Sequence, residues 1–208
     1  MIIKGLEVGP IMANCFIVGC EETKEAAVID PGDDADQILL TLADLKLRVK
    51  YILNTHGHFD HVGANSRMKA ATGAEILIHS LDVPMLGRLS ASAAAWGLSA
   101  EDSPEPDRTL ADGDTVTFGR LTFTVIHTPG HTPGGISFYS SGCVFVGDSL
   151  FAGSIGRTDF PGGDYDTLIT SIRTKLFALD DNTTVYTGHG PETTIGHEKR
   201  HNPFVGLR

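Results

Sequence analysis

The sequence predicts an α/β fold in which two sheets lie back to back with helices outside them, a four-layer αββα sandwich. Three observations lead there. Apolar strands and amphipathic helices alternate, and the order strands, helix, strand, helix is run through twice. Each half contains an apolar strand that stops at an aspartate before a loop, at Asp30 and at Asp148. The chain's 208 residues, 41% of them hydrophobic, can bury a sizeable core in one domain spanning residues 1–208.

In chain order, residues 14–18 and 26–30 read as strands joined by a hairpin loop over 21–24, the second ended by Pro31 and Gly32. Asp33 or Asp34 is expected to cap a helix whose apolar positions are Ile38, Leu39, Leu42 and Leu45. Residues 49–54 form a mostly apolar strand of the type buried on both faces. The stretch 62–72 favours helix, Gly73 stops it, and 75–78 is a further strand. Residues 80–113 read as a short helix and a proline-rich surface loop: a lid, an oligomer contact or a plain connection. Strands return at 115–118 and 121–127 about a turn at Gly119 and Arg120, then at 136–139 and 144–146 about Ser141 and Gly142. Asp164 is placed to cap a helix over 165–179, followed by a strand at 184–186 and a helix over 193–201.

Charge narrows the partners. Acidic residues outnumber basic ones by 26 to 16, a formal charge of −10, which phosphate backbones repel, so no nucleic-acid partner is expected. No run of about eighteen apolar residues occurs, so no membrane span is expected. Lys4 and Glu7 interrupt the first apolar stretch, so no secretory signal is read there. Cys15, Cys20 and Cys143 are too few for a disulfide framework and read as small buried thiols, which fits a reducing, cytoplasmic setting.

Chemistry concentrates at residues 55–61, where His56, His58, Asp60 and His61 follow an apolar strand. Extended backbone sends His56 and His58 to one side, and a bend after His58 aims Asp60 and His61 at a neighbouring point. Imidazole and carboxylate together suit zinc, non-haem iron or manganese. Three further candidates sit at strand ends. His131 lies in a turn fixed by Pro129, Gly130, Pro133 and Gly134; His189 lies between Gly188 and Gly190. Asp148 ends an apolar strand, where a carboxylate is costly to bury unless paired or metal-bound. The seven are the number two adjacent metals need when one carboxylate bridges them. His79 and His127 read as structural, and His197 and His201 as surface residues. Ser149 has no spare His–Asp pair to activate it, and no nucleotide-binding motif is present.

With this set the chain resembles the metallo-β-lactamase-fold superfamily. The resemblance implies that His56, His58 and His131 hold a first metal, Asp60, His61 and His189 a second, and that Asp148 bridges them together with a water or hydroxide. Two zinc ions are the implied cofactors, with iron or manganese as alternatives. The common true lactamases carry Cys where this chain has Asp148 and are usually exported, so an antibiotic-hydrolysing role is not expected.

Segments 156–163 and 188–198, and the ending at 201–204, resemble the short glyoxalase II-like hydrolases, which lack the C-terminal helical domain of hydroxyacylglutathione hydrolase. That likeness implies hydrolysis of a small-molecule thioester such as an S-2-hydroxyacylglutathione by a metal-bridging hydroxide, with Asp60 or Asp148 steering the attacking water's proton. Arg157 and Asp159 stand where the long enzymes have Lys and Tyr, and Lys199 where they have Tyr. Arg157 and Lys199 are therefore the candidate substrate contacts, and glutathione specificity is left open. Asp30 and Thr55 are candidates for orienting the histidines. Two readings compete. Persulfide dioxygenases share the fold and a segment like 156–160, with one iron on His56, His131 and Asp148; a lactonase would use the same metal residues. A non-catalytic scaffold does not call for a complete ligand set, and a nuclease does not fit the charge.

Overall fold

The structure, a computed structural model, describes residues 1–207. The chain begins with β1 (Ile2–Val8), β2 (Ala13–Gly19), β3 (Glu25–Ile29), α1 (Ala35–Asp44), β4 (Arg48–Leu53), α2 (Phe59–Val62), α3 (Asn65–Thr72) and β5 (Glu75–His79). It continues through α4 (Val83–Leu86), α5 (Leu89–Ala94), β6 (Arg108–Leu110), β7 (Thr115–Phe118), β8 (Leu121–His127), β9 (Ile136–Ser140) and β10 (Cys143–Gly147). It closes with β11 (Leu150–Phe151), β12 (Ser154–Ile155), α6 (Tyr165–Thr174), β13 (Thr184–Thr187), β14 (Thr193–Thr194) and α7 (Ile195–His201).

One sheet has the order β1-β2-β3-β4-β5-β6 and the other β14-β13-β10-β9-β8-β7, with β11 and β12 as a separate hairpin. Both halves follow one course. An antiparallel meander, β1 to β3 or β8 to β10, leads into a helix, α1 or α6, that crosses over to a parallel neighbour, β4 or β13.

Side-chain alternation decides the layering. Phe16, Val18, Ile29 and Leu53 of the first sheet meet Phe123, Phe138 and Phe145 of the second between the sheets. Their sequence neighbours point outward: Cys15, Ile17, Val28 and Ile52 pack with Ile38 and Leu42 of α1 and Met68 of α3. On the other side Val144, Val146 and Val185 pack with Leu168 and Ile172 of α6 and Ile195 of α7. Strands apolar on both faces thus require a cover on each side, and the predicted αββα order follows. Each such side chain taken fully from water contributes about 1.5–3 kcal/mol. The three cysteines are buried and free.

Several elements depart from the sequence reading. Asp34 takes the N-cap position of α1 as one of the two expected residues, its carbonyl accepting from Gln37 N and Ile38 N, but its side chain makes no cap bond. Asp34 adopts left-handed backbone (φ 50°), its carboxylate accepts from Gly9 N at 2.8 Å, and the Asp33 carboxylate accepts from Asp34 N at 2.7 Å. Asp164 does cap α6, accepting from Thr167 N at 2.7 Å, but the helix ends at Thr174 and a 3₁₀ turn over Leu176–Ala178 completes the segment. The stretch 62–72 is divided between α2 and α3, and α7 starts at Ile195, capped by Thr194. Residues 80–113 are more than a surface loop. Leu86 of α4 and Leu89 of α5 are buried with Val62 and Ile78, and β6 extends the first sheet in parallel with β5.

The topology gathers strand ends. β3, β4 and β5 run parallel, so the residues following them emerge at one edge of their sheet. β8 and β10 are both antiparallel to β9, and β13 is parallel to β10, so these three likewise finish at one edge. Ile136 N donates to Thr55 O at 2.8 Å and Asn14 N to Gly188 O at 2.7 Å, tying the two edges together. Among the described residues no helix is long and apolar enough to cross a membrane.

Candidate metal centre

Six strand ends deliver the polar residues to one place: Asp30 after β3, His56 to His61 after β4, Asp82 after β5, His131 after β8, Asp148 after β10 and His189 after β13. The seven ligand candidates come together in two groups. One donor atom each from His56, His58 and His131 lie within 4.8 Å of one another, and so do those of Asp60, His61 and His189. Asp148 stands between the groups, Oδ1 3.3 Å from His61 Nε2 and Oδ2 3.6 Å from His131 Nε2 and 3.7 Å from His189 Nε2.

Hydrogen bonds behind the rings fix which nitrogen faces inward. Thr55 Oγ1 donates to Asp30 Oδ2 at 2.6 Å, so its lone pair accepts from His56 Nδ1 at 3.0 Å. His61 Nδ1 donates to Asp30 Oδ2 at 3.1 Å, His131 Nδ1 to the Arg157 carbonyl at 2.7 Å, and His189 Nδ1 to the Met12 carbonyl at 3.3 Å. Four imidazoles are therefore engaged through Nδ1 and turn Nε2, the nitrogen an ion would take, toward the centre. His58 does the reverse, its Nδ1 lying 2.9 Å from His131 Nε2. Close backbone packing holds the cradle. A Cβ at Gly188 would overlap Asp148 Oδ1, and one at Gly147 (φ +50°) would overlap Thr55 Oγ1.

The residues fit a divalent ion. His56 Nε2 and Asp148 Oδ1 are buried with no hydrogen-bond partner among the described residues. Such orphans cost free energy unless something completes their bonding. At His56, His58 and Asp148 the electrostatics agree with the donor chemistry. Burial, then the neighbouring histidines, keeps His56 well below the ordinary imidazole pKa, and the same causes bring His58 down to about 4. Burial would raise Asp148, but the flanking imidazoles, His61 foremost, hold it well below the usual carboxylate range. Neutral imidazole and ionised carboxylate are the forms that bind metal.

Asp30 and Thr55 lie behind His56 and His61, bonded to their Nδ1 atoms. Asp30 Oδ1 also accepts from Thr55 N at 2.7 Å. Arg157 reaches the rim. Its guanidinium pairs with both Asp159 oxygens at 2.8 and 2.7 Å and lies 3.7 Å from the Phe160 ring centre and 6.0 Å from that of Trp96. The Phe160 ring in turn stands 5.8 Å from His58. Lys199 is not brought to the cluster: Nζ bonds Asp181 Oδ1 at 2.6 Å and the Leu179 carbonyl at 3.4 Å. His79 and His127 stack at 4.3 Å apart from the cluster, His197 and His201 are exposed on α7, and Ser149 Oγ bonds Thr128. A cavity of about 530 Å³ adjoins Asp60 and Phe59, walled by Ile11 and Leu98. Sequence reasoning missed Asp82 and the two carbonyl acceptors. A carbonyl leaves no trace in sequence, and the signal for Asp82 is only its place three residues beyond a strand.

Residues 8–189 match the model of the metallo-beta-lactamase superfamily, and the chain belongs to that superfamily and, with it, to the metallo-hydrolases. Along its length it is similar to hydroxyacylglutathione hydrolase GloC of Haemophilus influenzae, 44% identical over 98% of this chain and 99% of that one. Among solved structures it is similar to the BLEG-1 B3 metallo-beta-lactamase (TM-score 0.92, 38% identity, 98% and 99% covered). It is also similar to TTHA1623 in a di-iron-bound form (0.90, 40%, 97% and 99%). The likeness extends to ETHE1 from Myxococcus xanthus (0.81, 32%, 99% and 85%).

Proposed function

We propose that the chain is a glyoxalase II-like hydrolase that cleaves a small-molecule thioester such as an S-2-hydroxyacylglutathione. The observation that carries this is the pair of donor triads sharing Asp148, a complete set for two ions. The whole-length likeness to a hydroxyacylglutathione hydrolase supports it. In this reading His56, His58 and His131 hold one ion, Asp60, His61 and His189 the other, and Asp148 both. Zinc suits the donor set, and the di-iron relative keeps iron beside it. Ions bound there would supply water ionised near neutral pH and a Lewis acid for the substrate carbonyl.

The chain's own residues do the rest. Asp60 borders both the cluster and the adjoining cavity, and from there it orients the attacking water and steers its proton away from the carbonyl being attacked. A thiolate leaving group of pKa ~8.5 departs without a dedicated general acid. Arg157, Phe160 and Trp96 make the wall for the thiol arm. Arg157 is already chelated by Asp159, so it offers a flat, largely neutralised face rather than a free cation, which argues against strict selection of a glutathione carboxylate.

The test is hydrolysis of S-lactoylglutathione, followed as loss of thioester absorbance with and without a chelator. Chelator-sensitive turnover is the expected result. No turnover of thioesters by metal-loaded protein would overturn the reading. The likeness to ETHE1 favours a second one, a persulfide dioxygenase with a single iron on His56, His131 and Asp148, and oxygen uptake with glutathione persulfide would reveal it.

A further inference from the structure

Asp82 is fully buried, three residues after β5 and at the start of the segment that carries Trp96, outside the seven candidate donors. Its Oδ2 accepts from Gly57 N at 3.0 Å and from Thr132 Oγ1 at 2.7 Å, and its Oδ1 from Gly134 N at 2.6 Å. Gly57 lies between His56 and His58, and Thr132 follows His131. One carboxylate thus ties together the two loops that supply the three-histidine group. Asp30, by contrast, holds His61 of the other group and, through Thr55, backs His56 as well. Since no bond of Asp82 reaches Asp60, His61 or His189, or a residue beside them, we infer that Asp82 is a positioning residue that sets the metal affinity of the His56, His58 and His131 half, and only of that half. The inference rests on the two-ion reading.

The chemistry of an amide makes the test selective. Asp82→Asn keeps the shape, but an amide offers one acceptor where the carboxylate offers two. Whichever way it turns, one loop N–H, that of Gly57 or of Gly134, meets an N–H instead of an oxygen. Losing such outer support costs metal sites roughly 10–100-fold in affinity. Thr132→Val removes one donor to Asp82 while keeping the side-chain volume, and guards against a variant that fails to fold.

The experiment is titration of the metal-free chain with Co²⁺, read by its visible absorption bands, with His58→Ala assigning the bands of the three-histidine half. Wild type is expected to take up two ions. In Asp82→Asn the three-histidine step weakens roughly 10–100-fold while the other stays in place, and Thr132→Val moves the same step by less. Equal weakening of both steps, or no weakening in either variant, would overturn the inference while leaving the two-ion reading intact. A wild-type chain that took up fewer than two ions would overturn both.

Discussion

Oδ2 of Asp30 lies 3.1 Å from Nδ1 of His61, and the same oxygen receives the Thr55 hydroxyl at 2.6 Å. Through these two bonds a buried carboxylate sets the ring orientation of His61 directly and that of His56 by way of Thr55. Asp30→Ala would leave the Thr55 N–H, the Thr55 hydroxyl and the His61 ring without their acceptor. We expect roughly a 10–100-fold loss of metal affinity. Stability should also fall, by about 1–3 kcal/mol for each stranded donor. Metal titration and urea unfolding of the metal-free variant measure the two effects separately. Wild-type values in both would remove Asp30 from its orienting role.

His58→Ala and Asp148→Ala should abolish thioester hydrolysis with the fold intact. His58 is half-buried at the cluster's outer side, and neither residue contributes to the apolar clusters. Turnover of S-lactoylglutathione and the circular dichroism spectrum of each variant decide the matter. Full activity in either folded variant is incompatible with a shared two-ion centre.

Metal uptake should release protons. Burial by itself would lower His61 and His189, but the carboxylates of Asp148 and Asp60 reverse this and raise both above the ordinary imidazole value. An imidazole whose pKa is raised keeps its proton at and above pH ~6.5, and an ion must displace that proton to reach Nε2. Apparent affinity therefore rises as pH climbs upward from about 6.5, and falls below it. Calorimetry in buffers of different ionisation enthalpy measures the release directly. Identical heats in every buffer near pH 7 would mean that His61 and His189 are already neutral in the metal-free chain.

How far the sequence was legible varies residue by residue. The seven candidate donors could be picked out, and their gathering at one place expected, because their types are chemically costly at the ends of apolar strands and four of them lie within six positions. The four layers could be found because Phe16 to Val18 and Val144 to Val146 are apolar on both faces of their strands. Asp164 followed the ordinary rule for a cap. Asp34 did not, because Gly9, 25 residues earlier, captures its carboxylate, and no local pattern reports so distant a donor. β6 escaped notice for the same reason: three residues become a strand only by pairing with β5. Asp82 belongs with them, since all three partners of its carboxylate come from other loops.

Trp96 should govern substrate affinity and not the chemical step. Its indole is 55% exposed, although it belongs to a chain of rings leading inward. It stands edge-on to Phe160 at 6.2 Å, and Phe160 stands edge-on to His58 at 5.8 Å. A large exposed indole beside a guanidinium and a second ring is a surface for an arm of the substrate, distant from the reacting carbonyl. Contacts made equally in ground and transition states alter KM and leave kcat unchanged. An exposed cation–π or stacking contact is worth about 0.5–1 kcal/mol, so Trp96→Ala should raise KM by roughly 2–5-fold. Trp96→Phe, which keeps a ring on the wall, should recover most of that loss. Steady-state kinetics with S-lactoylglutathione distinguish the outcomes. A fall in kcat at constant KM would place Trp96 in the chemistry, and unchanged parameters would move the thiol arm to another face, leaving the cavity beside Phe59 and Leu98 as the surface to probe next.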